Sequence, residues 1–278
     1  MLRLVEPGRR IRLPHGGIRP RTLVTFVRYP AMGTAGRRDV PNAAADRSGG
    51  PYPLVVFGHG FRLSPRPYER LLSAWARAGY VVAAPVFPLE NANAPGGPNE
   101  ADLVNQPRDM TFLISRLLAA SAAPKDPLSG LIDPKHIAVA GHSDGAETAL
   151  AVAYDRFFVD RRVGAAVILS GAKIPGVGGF TFPHPSPPLL ASQGSADTIN
   201  LPRATRAFYD LAPRPKYLLT LLGAGHLPPY TRDGPQLRVV ERVSTAFLDR
   251  YLKRRAVSAR RIRSLGTVPG VARLSARP

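Results

Sequence analysis

Three polar residues, each just past an apolar run, are the ones through which this sequence could do covalent chemistry. The first is Ser143, within Gly141-His142-Ser143-Asp144-Gly145. A serine hydroxyl is a weak nucleophile near neutrality. It attacks an acyl carbon when a neutral imidazole takes its proton and a carboxylate fixes the tautomer of that imidazole. Two downstream positions offer those partners: Asp197, closing Gln193-Gly194-Ser195-Ala196-Asp197, and His226, closing Gly223-Ala224-Gly225-His226. The oxyanion produced by attack needs two backbone N–H donors held in advance. Asp144, the residue after the nucleophile, supplies one. Gly58-His59-Gly60-Phe61-Arg62 supplies the other from Phe61, with Arg62 as the alternative.

The elements that must position these residues are visible as short Val-, Ile- and Leu-rich runs alternating with longer segments of helical period, the pattern of βαβ units on a mostly parallel sheet. Strands are expected at Leu23 to Tyr29, Leu54 to Phe57, Val81 to Ala84, Ile137 to Ala140, Ala165 to Leu169, Leu189 to Ser192 and Tyr217 to Leu222. Helical stripes appear at Tyr68, Leu71, Leu72 and Trp75, over Met110 to Leu118, from Pro202 to about Leu211, and at Val240, Val243, Phe247 and Tyr251. Ser143 then lies in a strand-turn-helix context, where flanking glycines remove Cβ atoms that a tight turn has no room for. Asp197 and His226 fall past the C-terminal ends of later strands, where open α/β sheets place their sites. The chain order is Ser, Asp, His.

On these residues the chain resembles the serine esterases of the α/β-hydrolase superfamily, over about residues 20 to 252. It looks like the branch that includes cutinases and polyester hydrolases, platelet-activating-factor acetylhydrolases and chlorophyllase-like esterases. Arg28-Tyr29-Pro30, His59-Gly60-Phe61, Gly141-His142-Ser143, Asp197 and Gly225-His226 carry the likeness. It implies an α/β-hydrolase fold, a mostly parallel central sheet with helices on both faces, and hydrolysis of an uncharged or apolar carboxylic ester by Ser143, Asp197 and His226. The expected substrate is a small-molecule or lipid-like ester, with polymer esters a further candidate. No cofactor and no metal are implied. The sequence departs from polyester-degrading cutinases in having no cysteine, in Asp144 where their elbow usually carries Met, and in lacking a tryptophan after Leu169. Dienelactone hydrolases share the fold, but their usual cysteine nucleophile is absent. The same triad serves amide hydrolysis, so a serine amidase or peptidase is the enzymatic alternative.

Other residues have competing readings. Long connections at residues 88 to 105 and 171 to 187 read as pocket walls. Phe180 and Phe182 in the second, and Leu227 directly after His226, are candidate substrate contacts; the plainer reading makes the two phenylalanines staples and Leu227-Pro228-Pro229-Tyr230 a rigid turn. His59 and His142 read as loop-shaping, Trp75 as core, and Glu147 as an acid favoured by the helix dipole. Glu100, Asp102 and Asn105 lack calcium-ligand spacing.

Length and composition, 278 residues at 44% hydrophobic, suit one α/β domain with a large core. The absence of cysteine excludes disulfides and thiolate metal sites. Of the net charge of +19, residues 1 to 40 carry +7 and residues 253 to 278 carry +8, which leaves +4 for the rest. The expected organisation is therefore a basic segment over 1–20, a catalytic domain over 21–252 and a disordered basic tail over 253–278. Nucleic-acid or anionic-surface binding through those ends is a reading from another class, and no nucleic-acid partner is expected. No apolar run has signal-peptide or membrane-spanning length, so the chain as written reads as cytoplasmic, or as secreted if its natural start lies upstream. Nothing in the sequence bears on oligomeric state.

Overall fold

A strand that is apolar on both faces needs cover on both, and the order of elements supplies it. The computed structural model describes residues 1–278 except 14–15, 35, 37–38, 175, 178–180 and 254. The elements are β1 (Leu2–Arg12), β2 (Ile18–Arg28), β3 (Tyr52–Gly58), α1 (Glu69–Arg77), β4 (Val81–Val86), α2 (Gln106–Ala122), β5 (Ile132–His142), α3 (Asp144–Tyr154), β6 (Val163–Leu169), β7 (Leu189–Gly194), α4 (Pro202–Leu211), β8 (Lys216–Leu221), α5 (Pro228–Thr231), α6 (Pro235–Tyr251), α7 (Ala259–Gly266) and β9 (Ala272–Arg277). They form one nine-stranded sheet in the order β1-β2-β4-β3-β5-β6-β7-β8-β9. The six strands from β4 to β8 are mutually parallel, while β1, β2 and β9 join by antiparallel pairing.

Alternation along the central strands divides the core in two. Val55 and Phe57 of β3 face the layer of α1, α6 and α7, with Trp75, Val240, Phe247 and Ile262. Leu54 and Val56 face the layer of α2, α3 and α4, with Met110, Leu113, Leu150 and Phe208. This is the expected mostly parallel sheet with helices on both faces, an α/β-hydrolase architecture. Trp75 is fully buried and donates its indole N–H to Ser244 Oγ at 2.9 Å, a core role. The seven expected strands correspond to β2 through β8.

Both ends of the chain differ from expectation. Residues 253–278, expected as a disordered tail, form α7 and β9. Ser258 caps α7 by accepting the Arg261 N–H at 3.1 Å, Ile262 is fully buried, and β9 pairs with β8 from Lys216↔Arg277 to Leu221↔Ala272. Residues 1–20, expected to lie outside the domain, form β1 and the start of β2. The physical reason is shared. An edge strand has one ladder and one covered face, so Ala272 and Leu274 pointing inward suffice, with Arg273 and Ser275 outward. Arg3, Arg10 and Arg12 are likewise exposed along β1. Charged edges discourage pairing with other chains, which accounts for much of the terminal charge.

One terminal arginine is buried. Arg21 of β2 reaches Asp102 at 2.9 and 2.8 Å and Asp109 at 2.6 and 2.5 Å. Asp102 lies in a 3-10 turn, Glu100–Asn105, that ends the 88–105 connection and leads into α2. A buried carboxylate bound this way is a structural anchor for that connection.

Candidate active site

Ser143 sits between the end of β5 and the start of α3 with φ 54° and ψ −122°. A non-glycine residue at positive φ is strained, and such strain persists only where the surroundings over-determine it. Here they do. A Cβ on Gly141 would come within 2.0 Å of the Gly145 carbonyl oxygen, and one on Gly145 within 2.2 Å of the Gly58 carbonyl. The elbow and the loop after β3 are thus pressed backbone to backbone. A Cβ on Gly60 would lie 3.1 Å from Ser143 Cβ, so the 58–62 loop abuts the serine itself.

In that loop the Arg62 N–H donates to the Glu90 carbonyl at 2.9 Å, which removes Arg62 as an alternative donor to an oxyanion. The Phe61 N–H has no acceptor among the described residues. Asp144 opens α3, so no earlier helical turn accepts its N–H.

The loops after β7 and β8 interlock. Ser195 N–H donates to the Leu221 carbonyl, Ala196 N–H to the Ala224 carbonyl, both at 2.9 Å, and a Cβ on Gly194 would meet the Ala224 oxygen at 2.4 Å. This brings His226 Nδ1 to 2.8 Å from Asp197 Oδ2. Asp197 is completely occupied: Oδ2 also accepts from Gln193 Nε2 at 3.0 Å, and Oδ1 accepts the Ile199 and Asn200 N–H groups at 2.9 and 3.0 Å. Burial works to raise its pKa, but the His226 hydrogen bond and charge, with the amide donors, hold it below the usual carboxylate range. Asp197 therefore stays ionised and faces the imidazole.

His142 and His59 are fixed by local bonds. His142 Nδ1 meets the Tyr68 hydroxyl at 2.7 Å and Nε2 meets the His226 carbonyl at 3.0 Å, so the ring braces the loop that carries His226. Burial, with the His226 charge nearby, pushes its pKa down to about 3. His59 Nε2 accepts the Phe87 N–H at 3.0 Å, and burial lowers its pKa to about 4. Both rings are neutral scaffolding.

The candidate substrate contacts divide. Phe180 lies outside the described residues. Phe182 is buried, its ring 4.9 Å from that of Tyr154 in the α3 layer, which supports the staple reading. Leu227 is half-buried against the α6 layer at the start of α5, while Tyr230 is fully buried with its hydroxyl on the Ser192 carbonyl. Phe61 is half-buried beside the elbow.

Glu147 corrects another expectation. It is fully buried rather than displayed on the first turn, it accepts the Ile174 N–H at 3.1 Å, and burial raises its pKa to about 8. Its charge is suppressed, so the helix dipole is not what accounts for it. Sequence reasoning also gave no role to Glu90, Gln106 or Gln193. Gln193 carried a signal, a polar residue ending an apolar strand; Glu90 and Gln106 sit in or beside a polar loop and carried none.

A sheet of this topology, with a glycine-flanked serine on a strand-to-helix elbow, defines the α/β-hydrolase class. Within that class the chain belongs to the chlorophyllase family, whose family model matches residues 42–188, just over half of its length. The matched span holds the 58–62 loop and the Ser143 elbow and ends before Asp197 and His226. It places the chain among esterase-type hydrolases. No curated protein shows a significant match.

Proposed function

We propose that this protein hydrolyses uncharged or apolar carboxylic esters through an acyl-enzyme on Ser143. The observation that carries this reading is the His226–Asp197 pair, locked by four donors to one carboxylate, beside a serine held at positive φ. In the proposed reaction Ser143 Oγ attacks the ester carbonyl carbon while His226 Nε2 takes its proton. The Phe61 and Asp144 N–H groups receive the oxyanion. Collapse expels the alcohol, which leaves with the proton from His226, and water repeats the sequence to release the acid. The negative charge on Asp144, next in the chain to Ser143, disfavours anionic esters and supports a neutral substrate. Lipid-like esters fit this chemistry.

Ser143→Ala tests the reading. Removing a triad nucleophile is expected to lower kcat by several orders of magnitude, roughly the 10⁶ seen when such a group is lost. A neutral organophosphonate should add once, on the peptide containing Ser143. Labelling elsewhere, or a variant that keeps a substantial share of its turnover, rejects the mechanism. A panel of esters of increasing acyl length then sizes the site.

A further inference from the structure

Beside the elbow, three buried carboxyl groups each keep one oxygen with no N–H or O–H donor among the described residues: Glu90 Oε1, Asp144 Oδ2 and Glu147 Oε2, of which the first two belong to groups that face one another. Glu90 lies in the loop after β4 and is fully buried. Its Oε2 accepts from Gln106 Nε2, whose own Oε1 accepts the Thr148 hydroxyl at 2.8 Å, and that hydroxyl also reaches the Asp144 carbonyl at 3.0 Å. Its backbone carbonyl holds the Arg62 N–H, next to Phe61. The Glu90 and Asp144 carboxyl groups lie within hydrogen-bonding reach of one another, and one oxygen of each is left without any other donor. Two ionised carboxylates so placed repel and neither has a hydrogen to give, so one proton between them satisfies both unpartnered oxygens.

We infer that Glu90 and Asp144 share one proton, that Glu90 is thereby a positioning residue for both amides of the proposed oxyanion hole, and that loss of this proton shuts the site down at alkaline pH. The positioning and the shutdown rest on the serine-esterase reading; the shared proton rests on the carboxyl contact alone. Through its backbone Glu90 fixes the loop carrying Phe61, and through its side chain it fixes Asp144.

The surroundings favour holding the proton. Burial raises both groups, and for Glu90 the Asp144 charge adds to burial. From the turn before α2, Asp102 adds negative potential at Glu90, itself countered by Arg21, and Glu100 lies within reach of the Asp144 charge. From α3, Glu147 also feels Asp144, with Lys173 opposing. From the loop after β8, His226 favours the ionised form of Asp144, as do the Ser143 hydroxyl and the helix N-terminus. The negative charge thus resides on Asp144 and the proton on Glu90. As pH rises the proton leaves, and a second negative charge appears where an oxyanion must develop.

The test is the pH profile of kcat/KM for a neutral ester, measured on the full chain. The wild type should show a bell. Glu90→Gln, whose amide donates to Asp144 permanently, should keep the acid limb and lack the alkaline fall. Glu90→Leu should lose on the order of 10 to 100-fold, somewhat less than removal of an oxyanion donor, with Glu90→Gln rescuing most of that loss. An alkaline limb that persists in Glu90→Gln, or equal plateaus for the Gln and Leu variants, overturns the inference. Infrared spectroscopy near neutral pH reads the proton without turnover. A protonated-carboxyl carbonyl band should be present and should weaken in Glu90→Gln; if that variant folds poorly, the band should shift in frequency in Asp144→Asn, where an amide replaces the carboxylate acceptor, while the Glu147 band remains. An unchanged band refutes the shared proton. Band loss in a protein whose Ser143 resists phosphonate supports the shared proton and rejects the esterase reading alone.

Discussion

Replacing Asp197 with asparagine keeps the shape of the side chain and turns one oxygen into an NH2 group, and every position that group can take is already facing a donor. With the amide nitrogen at the Oδ2 position it opposes His226 Nδ1–H and Gln193 Nε2–H; at the Oδ1 position it opposes the Ile199 and Asn200 N–H groups. Either way two buried donors lose their acceptor, at about 1–3 kcal/mol each. At roughly 2–4 °C per kcal/mol for a chain near this size, Tm should fall by about 4–24 °C. The imidazole has one escape, to move its proton to Nε2 and accept from the new amide, which leaves it unable to take the Ser143 proton. Loss of the correct tautomer lowers kcat by about 10⁴. Asp102→Asn is the control: it weakens a buried Arg21 ion pair that Asp109 still holds, so its cost should appear in Tm and not in kcat. Steady-state kinetics with a neutral ester, paired with thermal melts, separate the two. If Asp197→Asn retained more than about a tenth of wild-type kcat against the 10⁴ loss expected, or if Asp102→Asn were the crippled variant, the assignment of the orienting carboxylate would be wrong.

On the acid side, kcat/KM should fall, since an imidazole accepts the serine proton only as the free base; a profile flat into strong acid removes His226 from that role. Because the mechanism uses side chains and backbone amides, dialysis against a chelator should leave the rate unchanged, and loss restored by calcium or zinc would contradict it. Glu147 predicts a stability effect. Burial raises its folded pKa to about 8, above the usual carboxylate range, so its contribution is full below that usual range and is lost as pH rises through the higher value. Chemical denaturation should show Glu147→Gln gaining on the wild type across that window, and no change in the difference with pH would refute the burial argument. Deleting residues 253–278 should unmask β8 and strip Ile262 and Leu274 from the core, at about 1.5–3 kcal/mol for each large apolar side chain, with further loss from the broken ladder. An unchanged Tm would show that β9 is dispensable.

The candidate triad was legible because each member follows a strand whose apolar run is unmistakable, and strand ends are where α/β sheets gather polar groups. The edges were not legible. β9 has only Ala272 and Leu274 as its inward-facing buried residues, and β1 is interrupted by arginines and by Gly8 at φ 80°, so neither produces a run that periodicity can register. An excess of charge is what solvation of a tail and protection of a sheet edge have in common. Glu90 was hidden for a different reason. It lies among prolines, asparagines and glycines that look solvated, and its burial depends on β4 and β5 both lying beside β3, a fact of sheet order and not of local sequence. Phe182 could be read either way until Tyr154 was seen to receive it.

The aspartate at position 144 stands directly after the proposed nucleophile, where a negative charge opposes the oxyanion, and electrostatics explains how the fold accommodates it. A donor of an oxyanion hole is worth about 3–4 kcal/mol to the transition state. A fixed negative charge even about 8 Å away, at an effective dielectric constant near 20, opposes the oxyanion by about 2 kcal/mol. Three ionised carboxyls at Glu90, Asp144 and Glu147 would therefore cancel more than one donor. One charge, placed on Asp144 at the positive end of α3 and opposite His226, is tolerable, and it also favours the imidazolium that forms as Ser143 attacks. Burying Glu90 and Glu147 away from water is what suppresses the other two charges. The same burial that raises their pKa values holds the 58–62 loop through the Glu90 carbonyl and the segment after β6 through the Ile174 N–H. Positioning and charge suppression are thus one arrangement, so a substitution that frees either carboxyl to ionise should disturb the geometry of the site and its charge together.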